Sequence, residues 1–138
     1  MPPQAQLPAR PAVPSSPAAP AGVVSINRYW VNQTVAQNGR TVALGYVINN
    51  PTGHPIRVLL GASLKSSQAL SWSQQALNDP SHDVVAVVPP GVTTHVRYFT
   101  VPSGLRPGAY DVAWGLRSAA SGRRNSLVAA PRVLHVVR

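Results

Sequence analysis

Three carboxylates, Asp79, Asp83 and Asp111, are the acidic side chains on which acid–base chemistry could rest. A general acid–base pair requires two carboxylates that converge on one site. Asp79 and Asp83 share the loop 78–83, where they indicate either an oxygen-rich cation site or a turn whose side chains accept backbone N–H groups. Asp111 alternates with Tyr110 along a strand, so we expect it on the exposed face. The carboxylates therefore give little support to catalysis.

Nucleophilic and metal chemistry find no better support. Ser81, His82 and Asp83 are adjacent in sequence, but neighbouring strand residues point to opposite faces, which disfavours a catalytic triad. His95 and His135 could face each other across neighbouring strands, yet two ligands make a weak metal site. The chain has no cysteine, which excludes disulfides and thiolate ligands. We therefore predict a non-catalytic protein with no cofactor and no metal.

The charge balance points to binding. Twelve basic residues stand against three acidic ones, which gives a formal net charge of +9. Such an excess attracts anionic partners, although a preference for arginine codons would leave the same signature. The basic residues are scattered and are not interleaved with aromatic rings, so the pattern does not favour nucleic acid. We expect a protein partner with an acidic surface; a glycan and a second copy of the chain stay open.

Five side chains are candidates for partner binding. Trp72 lies in a stretch rich in Ser and Gln, where it is either an exposed contact ring, also suited to a sugar, or a lid over one open end of the domain. The loop 118–126 is the most basic tip of the chain and is either a docking point or a solvated turn. We assign partner binding to Arg10, Trp72, Arg117, Arg123 and Arg124.

The first 22 residues differ in composition from the rest. Seven of the 15 prolines lie within the first 20 residues, and proline at this density favours extended polyproline-II conformations. Residues 1–22 are therefore a solvated tether or an arm that docks on a neighbouring subunit, and 23–138 form the folded domain. No stretch reaches the roughly 18 apolar residues of a membrane span, and the N-terminus lacks signal-peptide regions. Cytoplasmic synthesis and a trimmed exported form both stay open.

Apolar residues alternate with a period of two, which predicts an all-β domain. Turn residues recur about every 8–12 residues, the spacing of a sandwich. The strands 42–48 and 56–64 flank a short turn, so we expect them to form an antiparallel pair. We predict strands at 23–31, 42–48, 56–64, 84–88, 92–101, 109–117 and 132–137, and a weak helical turn at 72–77.

Two strands differ in how clearly they define a buried face. In 109–117 the alternating residues Tyr110, Val112, Trp114 and Leu116 share one face, which we assign to the core. In 92–101 the candidates for the two faces compete, so we predict a β-bulge there. The competing residues are Val92, Val96 and Tyr98 on one face and Phe99 and Val101 on the other.

The segment Leu105–Val112, LRPGAYDV, resembles the L-x-P-G-x-Y-x-V entry to the penultimate strand of many bacterial immunoglobulin-like modules. Residues 49–53 and 89–91 resemble the N-x-x-G turn and the P-P-G approach to the fifth strand in the same family. The resemblance covers 23–137 and implies an immunoglobulin-like antiparallel β-sandwich of about seven or eight strands, with a jelly roll as the alternative. It also implies that the Tyr110 hydroxyl bonds a backbone group upstream.

This fold occurs in secreted enzymes, adhesins, surface-layer proteins, sugar-binding proteins and phage virion proteins, so it does not determine function. We predict a structural or assembly protein, most specifically a decoration or accessory subunit that docks on a larger particle such as a phage capsid or filament. The alternative is an extracellular or cell-envelope module for adhesion or glycan binding. The corresponding locations are the virion, or the extracellular space and cell surface.

Overall fold

The alternating apolar residues build two β-sheets in the computed structural model, which describes residues 23–138. The predicted arm, with Arg10, lies outside the described residues. The elements are β1 Ser25–Val31, β2 Val35–Gln37, β3 Thr41–Asn50, β4 Ile56–Ser66, α1 Trp72–Gln75, β5 Leu77–Asn78, a 3₁₀ turn Pro80–His82, β6 Val84–Val88, β7 Gly91–Thr100, β8 Gly108–Ser118 and β9 Arg124–Val137.

The strands form a sandwich of two unequal layers. One sheet has the order β1-β3-β7, and the other has β2-β9-β8-β4, with β5 and β6 both paired to the free edge of β4. All pairs are antiparallel except β2 with β9, which run parallel. This arrangement is that of an immunoglobulin-like sandwich, which confirms the predicted fold class. Within residues 23–138 no helix is long and apolar enough to cross a membrane.

The core lies between the sheets and is built largely from alternating residues of β3 and from the predicted face of β8. Val42, Leu44, Tyr46 and Ile48 of β3 are buried, as are Tyr110, Val112, Trp114 and Leu116 of β8. The Tyr46 hydroxyl donates to the Gly61 carbonyl at 2.5 Å and so ties the two layers together. The Tyr110 hydroxyl donates to the Arg106 carbonyl at 2.7 Å, which confirms the predicted tyrosine corner.

The predicted pairing of 42–48 with 56–64 is wrong, because β3 and β4 belong to different sheets. The connection between them crosses the end of the sandwich. Asn50 is buried there, and its side-chain amide donates to the His54 carbonyl at 2.8 Å and to the Val88 carbonyl at 2.9 Å. These bonds hold the turn across the sandwich end, where a two-residue hairpin would have returned the chain to the same sheet.

The predicted bulge in β7 is also wrong. Thr41–Asn50 and Thr100–Gly91 pair without a register shift. The apolar pattern of β7 does not identify its buried face, because the inward residues before Phe99 are polar. They are Thr93, His95 and a fully buried Arg97. The outward face is left with the exposed Val92, Val96 and Tyr98. Register shifts occur instead in β1 and between β8 and β9.

Candidate binding groove

Small side chains line the outer face of the larger sheet. In the registered ladder Gly61 of β4 lies opposite Gly115 of β8, and Ser63 lies opposite Ala113. Ala129 of β9 continues the second row beside Ala113. A Cβ atom added to Gly61 would meet only the Gly115 carbonyl oxygen, at 3.9 Å. The centre of this face is therefore a shallow floor above which space is open.

The segment 67–83, which joins β4 to β6, forms a wall along this floor. It contains α1 and the 3₁₀ turn, and it presents Trp72, Ala76, Asn78 and Pro80 to the groove. The groove between wall and sheet has a volume of about 760 Å³. We call the segment 67–83 the groove wall.

The start of the groove wall is fixed by Asp111. Its carboxylate lies 2.9 Å from the Lys65 ammonium and accepts the Ser67 hydroxyl at 2.6 Å. It also accepts the backbone N–H of Arg132 at 2.8 Å. The Lys65 ammonium in turn donates to the Ala69 carbonyl at 2.9 Å. One ion pair thus holds both the side chain and the backbone of the wall at this end.

The end of the groove wall is fixed by Asp79, Asp83 and Arg97. The Arg97 guanidinium donates to the Asp83 carboxylate at 2.9 Å and to the Asp79 carbonyl at 2.7 Å. The Asp79 carboxylate accepts the Thr100 N–H at 2.7 Å and the Ser81 hydroxyl at 2.6 Å. All three carboxylates of the chain therefore position the groove wall, and the 78–83 loop is the hydrogen-bonded turn that the sequence left open.

The prediction that Asp111 is exposed is wrong, because only 8% of it is accessible. Two features bury it. Lys65 lies directly opposite on β4, and β9 bulges around residues 131–133, where Arg132 has a positive φ of 54°. The bulge turns the Arg132 N–H towards the carboxylate, as bulges re-aim ladder groups.

Hydrogen bonds determine the acidity of these carboxyls. Burial by itself would raise the pKa of Asp111, but hydrogen bonds from Ser67, Lys65 and the Arg132 N–H, with the Lys65 charge, bring the pKa below its ordinary value. Burial likewise opposes ionisation of Asp79, while bonds from Ser81, Thr100 and His82 lower its pKa overall. Both carboxylates are therefore ionised and hydrogen-bonded at neutral pH.

Trp72 lies on the outer face of the sheet and lines the groove, where its ring centroid is 5.4 Å from the Lys65 ammonium. It does not cover an open end of the sandwich. The ring is half-buried and packs by a cation–π contact on the ion pair that fixes the wall. One face of the ring is thus held at this end of the groove wall by its contact with Lys65.

The opposite end of the groove is basic. Arg117 of β8 and Arg124 of β9 are exposed ladder partners, and both line the groove. The Arg117 guanidinium donates to the Gly122 carbonyl at 3.2 Å. In the described part of the chain the ion pairs of Asp79, Asp83 and Asp111 go to other cations, so neither arginine is in an ion pair. Asp83 also lines the groove, but its carboxylate is paired with Arg97.

The structure therefore brings together three of the five predicted binding residues, Trp72, Arg117 and Arg124. Arg123 is exposed in the adjacent hairpin turn and does not line the groove. The floor of small residues is not predicted from the sequence. The one sequence feature that indicates it is the alternation of Ala113 and Gly115 with large core residues in β8.

The predicted facing of His95 and His135 is wrong, because β7 and β9 lie in different sheets. The His95 ring instead contacts the Thr93 hydroxyl at 2.7 Å. Among residues 23–138 no three His, Asp or Glu side chains come close enough to hold a metal ion.

No protein-family model matches the chain, and no curated protein matches it. Solved structures with a similar fold include a β-glucuronidase from Bacteroides uniformis (TM-score 0.55, 13% identity, 80% of this chain and 14% of that one). A Niemann-Pick type C2 protein from Japanese carpenter ant gives a TM-score of 0.58 at 9% identity, covering 91% of this chain and all of that one (100%).

The C-terminal domain of Wzt gives a TM-score of 0.53 at 14% identity, covering 88% of this chain and 77% of that one. The chain thus spans only 14% of the β-glucuronidase but most of the two smaller proteins. At these identities the likenesses show a shared fold and nothing more.

Proposed function

We propose that this domain is a non-catalytic binding module that holds an extended acidic polysaccharide in the groove. The observation that carries the proposal is the convergence of Trp72, Arg117 and Arg124 on one groove with a floor of small residues. The aromatic ring offers a flat apolar surface for the C–H face of a sugar. The two arginines offer planar, bidentate donors that fit the carboxylates of acidic sugars.

The groove also offers neutral polar groups between its two ends. Ser63 and Asn78 line it side by side, and the Ser63 hydroxyl contacts the Asn78 amide oxygen at 2.5 Å. A site for a carbohydrate combines apolar surface with a few placed polar groups that fix orientation. The unused donors of Asn78 suit sugar hydroxyls in this role.

The length of the groove favours a polymer over a small molecule. On β8 the residues that line the groove run from Ala113 to Arg117 at the basic end. These two residues are four apart on one strand, which corresponds to about 13 Å. A ligand that contacts both ends must be extended over that distance.

The assembly hypothesis remains the second candidate, in which the same groove binds an acidic protein segment of a virion or filament. It is supported by the same two arginines, because carboxylates of a protein and of a polysaccharide present the same charge. The two candidates differ in location: extracellular or cell-surface for the polysaccharide, and the virion for the particle.

The test is calorimetric titration of the full chain with polygalacturonate, with neutral dextran as the comparison ligand. Gly61→Val is chosen to fill the floor, because an added Cβ would meet only the Gly115 carbonyl oxygen at 3.9 Å and a β-branched residue suits a strand. We expect Gly61→Val and the double variant Arg117→Ala/Arg124→Ala each to weaken polygalacturonate binding at least tenfold.

The matched control is Arg40→Ala/Arg106→Ala, which removes two exposed arginines at the opposite end of the sandwich. Its binding should stay within twofold of the natural chain. Equal losses in both double variants would reduce the interaction to non-specific charge attraction and reject the groove. No binding of any acidic polysaccharide, with binding of poly-glutamate that Gly61→Val abolishes, would favour the assembly candidate instead.

A further inference from the structure

Exposed valines concentrate on one side of the sandwich. Strand β6 and the first part of β7 run consecutively in the chain and form the free edges of the two sheets on that side. The stretch 84–96 contains no Lys, Arg, Asp or Glu, although the chain carries a net charge of +9. We call β6 together with 91–96 the valine edge. Its exposed members are Val84, Val85, Val87, Val92 and Val96, at 38–59% accessibility.

The backbone of β7 is open along the valine edge. In an antiparallel ladder each residue directs both its N–H and its C=O either towards its partner strand or away from it. The Val101 N–H donates to the Arg40 carbonyl at 2.8 Å, towards β3, whereas the Thr100 N–H turns away to Asp79. Even-numbered residues of β7 therefore direct their backbone groups away from β3.

Side chains cap this edge at one end only. Asp79 accepts the Thr100 N–H, and the Arg97 guanidinium donates to the Tyr98 carbonyl at 2.9 Å. No strand among residues 23–138 pairs with the outer backbone groups of Val92, Thr94 and Val96. The open template thus runs from Val92 to Val96.

An exposed apolar edge of this kind pairs with another strand unless charge or proline protects it. We propose that the valine edge is the interface with a second copy of this chain, with β7 pairing antiparallel to β7 across a twofold axis centred on Thr94. In this register Val92 lies opposite Val96 of the partner subunit. All three open N–H groups of each copy then reach a carbonyl.

The valine edge is complementary to itself, which favours a second copy of this chain as its partner. A twofold axis places the same residues on both sides, so a strongly basic chain can associate with itself only through an uncharged surface. The stretch 84–96 meets that condition. Cross-strand valine pairs form on the outer face, and the β6 valines extend the buried apolar area beside them.

The test is sedimentation of the full chain over a range of concentrations. Thr94→Pro removes an N–H that does not bond to β3, so the native ladder tolerates it while the proposed pairing loses its central bonds. Thr94→Val, which keeps the N–H, is the matched control. We expect a dimer for the natural chain and for Thr94→Val, and at least a tenfold higher dissociation constant for Thr94→Pro.

Val96→Lys provides an independent break if Thr94→Pro does not fold, because it places like charges at the edge. Amide exchange at Val92, Thr94 and Val96 should slow as the dimer forms. A monomer at all concentrations, or a dimer that neither variant weakens, rejects the proposal. Slow exchange of the three amides in a monomer would also reject it, since another segment of the chain would then cover the edge.

Discussion

Two ion pairs hold opposite ends of the groove wall, and they do so in different surroundings. The Arg97–Asp83 pair joins a fully buried Arg97 side chain on the core side of β7 to a carboxylate that keeps 32% of its side chain accessible. The Lys65–Asp111 pair lies on the outer face of the larger sheet, where both side chains keep 8–12% accessibility beneath Trp72. In the first pair a buried cation meets a carboxylate at the surface, and in the second both partners are nearly covered.

The difference matches the chemistry of the two cations. The planar guanidinium of Arg97 donates in three fixed directions, to Asp83, to the Asp79 carbonyl and to the Tyr98 carbonyl, and it lies over Phe99 at 5.7 Å. An arginine suits a site from which water is excluded, because each of its three nitrogens has a partner. The Lys65 ammonium is a point charge, which suits a position that keeps contact with solvent.

The largest effect should come from Asp83→Ala, which leaves the Arg97 charge buried without its counter-ion. Leaving a buried charge without its partner in this way costs about 3 kcal/mol of unfolding free energy. Urea unfolding of the natural chain and the variant measures it. The double variant Arg97→Met/Asp83→Ala removes both charges and should be the more stable of the two; if it is not, the unpaired charge is not the cause of the loss.

Asp111→Ala should destabilise the chain less, by about 2 kcal/mol, the scale of a hydrogen bond to a charged group. The Lys65 ammonium keeps the Ser66 and Ala69 carbonyls as acceptors and can reach water. The effect should also be local, since amide exchange should quicken at Ser67 and Ala69 before the core. A loss as large as that of Asp83→Ala would erase the distinction between the two pairs.

The sequence predicts those parts of the molecule that a local pattern encodes. The alternation of Tyr110, Val112, Trp114 and Leu116 defines a core face without knowledge of the partner strand. The Tyr110 corner follows from a motif within eight residues. Trp72 stands out as a candidate for binding because it lies in a stretch rich in Ser and Gln, and its role in binding stays a prediction.

Contacts distant in sequence account for the rest. Arg97 can occupy a core position because Asp83 and the Asp79 carbonyl accept its hydrogen bonds. Both acceptors belong to the segment between β4 and β6 of the other sheet, so the periodicity of β7 gives no sign of them. Asp111 follows the strand pattern of an exposed residue, yet Lys65 meets it from β4. The groove depends on the register that places Arg117 beside Arg124. The sequence therefore suggests individual lining residues but does not show that they lie together.

Acidity should act on both ends of the groove wall together. Asp79 and Asp111 have lowered pKa values in the folded chain, so their stabilisation is complete above the unfolded value of about 4 and is lost as pH falls through the folded values. Burial lowers the pKa of His95, so the free energy from urea unfolding should already fall somewhat as pH drops below about 6.5. The carboxylates should add a steeper decline below about 4. Asp111→Asn should make that decline shallower; an unchanged slope would mean that Asp111 is not among the groups that titrate.

The smallest effect should come from Trp72→Ala, which should lower the unfolding free energy by about 1 kcal/mol at most. The ring contributes one partly exposed cation–π contact to the Lys65–Asp111 pair. Trp72→Phe keeps an aromatic face above Lys65 and should recover part of that loss in urea unfolding. The Arg97–Asp83 pair does not depend on an aromatic ring in this way, since backbone carbonyls of Asp79 and Tyr98 also hold Arg97. If Trp72→Ala destabilises the chain as much as Asp111→Ala, the ring is as important as the Lys65–Asp111 pair for fixing the start of the groove wall. A small loss combined with weakened polygalacturonate binding would instead assign the ring mainly to the ligand.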